Sequence, residues 1–176
     1  MTNYKPATIL ILTLLTAAAC TKPPAPATGK SYPLATATEN FVTVAISLDR
    51  DAAGQAWLSA AFVPTESQFS LYSKDLPREG VNGLGRPTLL ELVPGSRLRA
   101  MGSLSESVAS KQGDGPAGLL LYPPGPVILR LPVGLPEESW FEDQVSVTYM
   151  ACSGGVCKFP VEGKRMPIRV PGNKFS

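Results

Sequence analysis

Histidine is absent from the 176 residues. That absence excludes Ser-His-Asp and Cys-His nucleophile arrangements, His-ligated zinc and the HExxH metalloprotease helix, because each needs an imidazole as base or ligand. Most hydrolase chemistry goes with it. An excess of one charge is also missing: 16 Lys and Arg stand against 14 Asp and Glu, for a net charge of +2. With no run of five like charges, the chain carries no nucleic-acid or anionic-membrane footprint. There is no internal repeat or heptad pattern. The glycines of "GVNGLG" follow no hydrophobic strand and open no helix, so they do not form a phosphate-binding loop. Cysteine is scarce, with three in all, and aromatics make up only 7%.

What is present suits one globular domain of ordinary size plus appendages: 44% of residues are apolar and 17% charged. Sixteen glycines and 18 prolines favour many short strands joined by turns over long helices.

Residues 1 to 20, MTNYKPATILILTLLTAAAC, carry Lys5, an apolar run from Ala7 to Leu15, and small residues ending at Cys20. This reads as a signal peptide, too short in its apolar part to span a bilayer as a permanent helix. Its Ala17-Ala18-Ala19-Cys20 ending resembles the lipobox of bacterial lipoproteins, which implies a lipidated Cys20 as mature N-terminus. Thr21 in place of Asp after the anchor implies the outer membrane, periplasmic side. From Thr21 to Glu39 the chain is rich in Pro, Ala and Thr, and is expected to be a disordered tether spanning roughly 25 Å as a coil or about 55 Å in polyproline II.

From residue 40 to 172 alternation dominates. Val42, Val44, Ile46 and Leu48 fall on one strand face, and Leu58, Ala60 and Phe62 on another, opposite Trp57, Ser59, Ala61 and Val63. Further strands are expected at 69–72, 88–93, 97–101, 119–122, 127–133, 144–151 and 165–170, with turn chemistry between them. Seven to nine short strands predict an all-β antiparallel sandwich. Ser103 to Gly118, polar and small, is expected to be a mobile loop. Trp57 and Trp140 are assigned to structure, and Glu66, Asp75 and Glu79 to solvated loops. Arg86 is placed in a turn leading into a strand.

A lipidated Cys20 leaves Cys152 and Cys157 as an even pair in an oxidising compartment. They lie in "YMACSGGVCKFP", where a hairpin tip of Ser153, Gly154, Gly155 and Val156 lets facing strands bring the two thiols to bonding distance. Two thiolates without a second CxxC or any histidine cannot complete a tetrahedral zinc site. A structural staple and a redox pair both remain open. Closing a loop of about six residues removes only roughly 2 kcal/mol of unfolded-state entropy, whereas a redox pair benefits from thiols that stay juxtaposed after reduction. Lys158 favours the Cys157 thiolate if its side chain points toward it.

The segment "VSVTYMACSGGVCKFPVEGKRMPIRV" resembles the N-terminal periplasmic domain of the thiol:disulfide interchange protein DsbD. "SQFSLYSKDLP" and "VILRLPV" resemble earlier strands of that family more loosely, so the resemblance covers most of residues 40 to 170. It implies an immunoglobulin-like sandwich that needs no cofactor and relays reducing equivalents between redox proteins. The donor, a thioredoxin-like or membrane redox protein, would act in trans. By the same resemblance Cys157 forms mixed disulfides, Cys152 resolves them, and Tyr149 and Pro160 shape the site; Lys158 joins them through its adjacency to Cys157, at a step where this chain departs from the family's pattern. The family shields its disulfide with an aromatic cap loop. Ser103 to Gly118 holds no aromatic, and Tyr122 is the nearest candidate. The alternative is a non-catalytic envelope lipoprotein with a structural disulfide, whose surface binds another protein.

Overall fold

The computed structural model describes residues Lys30 to Lys174. The signal segment, Cys20 and the first part of the tether lie outside the described residues. Fourteen strands and no helix fill the described chain: β1 (Ser31–Glu39), β2 (Val42–Arg50), β3 (Ala56–Pro64), β4 (Ser70–Leu71), β5 (Leu89–Leu92), β6 (Arg99–Ala100), β7 (Ser105–Glu106), β8 (Lys111–Gln112), β9 (Leu120–Leu121), β10 (Val127–Gly134), β11 (Trp140–Tyr149), β12 (Ala151–Ser153), β13 (Val156–Cys157) and β14 (Val161–Pro171). All pairings are antiparallel.

One large sheet runs β1-β2-β3-β10-β6, with β7 also on β10, and a second runs β14-β11-β5. Their inner faces form the main core, as the alternation requires. Val42, Val44, Ile46 and Leu48 of β2 are all at or below 1% exposure, and Leu58, Ala60 and Phe62 of β3 are fully buried. The second sheet answers with Val145, Val147 and Tyr149 of β11 and Met166, Ile168 and Val170 of β14. This is an all-β antiparallel sandwich, consistent with an immunoglobulin-like arrangement. Each fully buried Val, Leu, Ile or Phe side chain contributes about 1.5–3 kcal/mol relative to exposure, so this core far outweighs what one short-loop disulfide adds.

Two expectations are corrected. Residues Ser31 to Glu39 are not tether: they pair with β2 from Ser31↔Asp49 to Glu39↔Val42. The backbone finds its partners there although the side chains offer little to bury, and Tyr32, Leu34, Ala35 and Ala37 pack on the core margin. Pro33, which has no N–H, sits beside the register shift of this edge strand. Nor is Ser103 to Gly118 one slack loop. β7 pairs with β10, β8 forms a small hairpin with β9, and Ser110 Oγ donates to Ser73 Oγ at 3.0 Å.

Candidate functional site

A third small sheet, β13-β12-β4, continues the chain beyond β11 at one end of the sandwich. The tip between β12 and β13 is the pair Gly154 and Gly155, at φ 55° and 82°. Two consecutive positive φ values mark the type I′ turn, whose twist suits a two-residue hairpin. Such a turn fixes the register: Ser153 faces Val156 and Cys152 faces Cys157. The Lys158 N–H donates to the Ala151 carbonyl at 2.9 Å, so the next pair along is hydrogen-bonded. The cysteines therefore occupy the non-hydrogen-bonded position, where side chains approach most closely. Their Cα atoms are 4.1 Å apart, and the two sulfurs form a disulfide.

The two sulfurs differ in surroundings. Cys152 is 7% exposed, on the central strand of its sheet with Ser70 of β4 opposite it. Cys157 is exposed, and among the described residues no strand lies on the outer side of β13. Cys152 belongs to a satellite core of its own with Tyr72, Leu76 and Leu119, against which Val81, Leu121 and Met150 pack.

Tyr72 is the residue the sequence reading missed. Its hydroxyl lies 3.2 Å from Cys152 Sγ and 3.7 Å from Cys157 Sγ. Burial raises its pKa above the ordinary tyrosine value, so at neutral pH the phenol keeps its proton and can donate it to sulfur. Its backbone is anchored by Thr88, whose N–H and hydroxyl both donate to the Tyr72 carbonyl, the hydroxyl at 2.6 Å. Behind the ring stands Gly85 at φ 79°, where a Cβ would meet Tyr72 Cδ1 at 2.8 Å. The glycine-rich stretch before Arg86 thus makes room for this phenol, and Arg86 itself ties the stretch down by ion pairing with Glu162 at 2.5 Å.

A groove of about 410 Å³ opens beside the disulfide, lined by both cysteines, Tyr72, Gln68, Asp114 and Leu121 among others. Asp114, at the turn of the β8–β9 hairpin, is the carboxylate that lines this groove; Glu66, Asp75 and Glu79 do not. Leu119 and Leu121 give that hairpin an aliphatic wall where an aromatic cap was expected to be missing.

None of the four residues expected to shape the site lines the groove. Tyr149 is 1% exposed in the main core, edge-on to Phe62 at 5.7 Å, with its hydroxyl donating to the Glu39 carbonyl at 3.1 Å. Burial first, and Glu39 second, push its pKa up to about 12. Tyr122, 1% exposed, donates to Glu106 at 2.5 Å and accepts from the Lys74 N–H at 3.0 Å. Pro160 is half-buried just before β14. The Lys158 ammonium sits 3.9 Å from the centroid of the Phe41 ring and 5.3 Å from that of Phe69. It is engaged by two aromatic faces instead of a thiolate.

Phe41 explains its own backbone. It follows Asn40 in the β1–β2 turn, and the two have φ 65° and 45°, a conformation costly for a bulky side chain and normally given to glycine. The aromatic is held there by contact with Lys158 and, at 6.0 Å, with Phe69. Asn40 Nδ2 donates to the Phe159 carbonyl at 2.9 Å. The turn therefore grips the segment directly after Cys157. Among the described residues no cluster of three or more His, Cys, Asp or Glu could hold a metal, and no helix is long and apolar enough to cross a membrane.

No family model matches the chain, and no curated protein matches it. A solved structure similar to it is the N-terminal domain of DsbD from Neisseria meningitidis in the reduced form, at 14% identity over 80% of this chain and 84% of that one, with a TM-score of 0.41. With so little shared, the chemistry of the cysteine site rests on this chain's own residues.

Proposed function

We propose that this chain is a thiol:disulfide exchange module working through Cys157 and Cys152. The observation that carries the reading is the asymmetry of the disulfide: one sulfur exposed on an edge strand, the other buried beside a protonated phenol. A partner thiolate attacks Cys157 Sγ, and a new sulfur–sulfur bond forms as the Cys152–Cys157 bond breaks. The electron pair leaves on Cys152 Sγ, where the Tyr72 hydroxyl donates a hydrogen bond to the nascent thiolate. A second thiol of the partner then attacks the mixed disulfide, takes the partner's sulfur back, and releases Cys157 as a thiolate. The partner dithiol ends as a disulfide and this chain as a dithiol. Run in reverse, Cys157 attacks an oxidised partner and Cys152 resolves the intermediate. The hairpin keeps the two thiols facing each other when reduced, which favours that resolution.

The lipobox-like Cys20 supports a second part of the same proposal: the module is lipid-anchored in the bacterial envelope, facing the periplasm, with thioredoxin-like or membrane redox proteins as partners. Equilibration of the full chain in graded glutathione buffers tests the exchange chemistry. A potential between about −120 and −270 mV supports it, and one well below about −300 mV overturns it in favour of a stapled binding domain.

A further inference from the structure

The open edge of β13 suggests how a partner is received. Because Ala151 and Lys158 form the hydrogen-bonded pair, ladder parity turns the N–H and C=O of Cys152 toward β4 and those of Cys157 outward, away from the sheet. Among the described residues Cys157 therefore presents one donor and one acceptor with no strand opposite them, at an exposed edge. The edge is short. Upstream it ends at the Gly154–Gly155 turn, and downstream the Asn40 amide already occupies the Phe159 carbonyl.

Resting on the exchange reading above, we infer that the substrate is an extended, cysteine-bearing segment of a partner protein that adds as an antiparallel strand to β13, its cysteine directly opposite Cys157. Two features favour this occupant over a small thiol. The first is that a residue opposite Cys157 exchanges both backbone hydrogen bonds with it, satisfying donor and acceptor together. The second is direction. Cys152 and Cys157 are directly opposed, so their S–S bond runs across the strands. A third cysteine in the same cross-strand row brings its sulfur along that axis, at the next strand spacing of about 4.8 Å. Displacement at sulfur needs attacker, attacked atom and leaving group nearly in line, and the row supplies that order: partner sulfur, Cys157, Cys152. The corresponding approach to Cys152 is taken by Ser70 of β4.

The test compares initial rates of disulfide reduction in the full chain by glutathione and by three synthetic peptides, each with a central cysteine flanked by threonine and valine. One peptide is unmodified, one is N-methylated at the cysteine nitrogen, and one is N-methylated at the following residue, whose N–H would face away from β13. The expected result is that the unmodified peptide outpaces glutathione at equal thiolate concentration. Methylation at the cysteine should slow it by roughly tenfold, the scale of one lost backbone hydrogen bond with a steric clash, and methylation one residue on should leave the rate near the unmodified value. Equal rates for all three peptides, with the disulfide still readily reduced, overturn edge pairing and leave the exchange chemistry standing. A disulfide that resists glutathione and every peptide overturns both.

Discussion

The molecule holds two cores built on different plans. The main one lies between long strands, eight to eleven residues in β2, β3, β10, β11 and β14, and buries whole rows of aliphatic side chains. The satellite core around Cys152 is enclosed by pieces of two or three residues, β4, β9, β12 and β13, and by loops. Stability scales with buried apolar area, so the first region holds the fold and the second only has to enclose the disulfide. What keeps the second in shape is a set of single contacts at turns: Thr88 on Tyr72, Arg86 on Glu162, and Asn40 on Phe159.

Breaking each region in turn should separate them. Phe62→Ala in the main core should cost about 3–5 kcal/mol, read as a large fall in melting temperature with or without reductant. Replacing both cysteines by serine should cost only about 2 kcal/mol, the entropy of a six-residue loop, while abolishing exchange altogether. A melting curve matched by exchange assays distinguishes the two, and a cysteine loss as costly as the phenylalanine loss would make the disulfide a staple. Tyr149→Phe removes one hydrogen bond, about 1 kcal/mol near neutral pH, and also alters alkaline behaviour. The folded-state pKa of Tyr149 lies near 12 against an ordinary 10.0. Its contribution is thus fully present below pH 10 and is lost as pH rises from 10 toward 12, because the unfolded chain gives up the proton first. Denaturant titrations across that window should show a shallower decline in the variant. Tyr72→Phe should leave the melting temperature nearly unchanged yet slow reduction by glutathione by roughly tenfold, the loss of one hydrogen bond to a charged leaving group. Asn40→Gly, which removes one exposed bond and keeps a residue that tolerates φ 45°, should cost the least, about 0.5 kcal/mol.

Legibility followed the same division. The faces of β2 and β3 could be read directly, because a strand buried on one side writes its period into its residues. The cysteine hairpin was equally readable, since a Gly-Gly pair between facing residues specifies its turn. β1 was not, because an edge strand of Pro, Ala and Thr packs too little apolar surface to leave a pattern, and its pairing depends on backbone groups every residue shares. Tyr72 lies 80 positions from Cys152 and reaches it only through the pairing of β4 with β12; the Leu-Tyr pair in "SQFSLYSK" was its one visible trace. Lys158 misled by adjacency. Successive side chains on an extended backbone point to opposite faces, so the residue next to a cysteine is poorly placed to serve its sulfur.

The brevity of β13 has a consequence for self-association. An unpaired sheet edge invites copies of the same chain to zip together, and proteins commonly blunt such edges with charge, proline or a bulge. Here the hairpin tip and the Asn40 amide leave only Cys157 open, too short a row for a stack of strands to grow on. The hairpin can leave that short edge uncovered without offering a seed for aggregation.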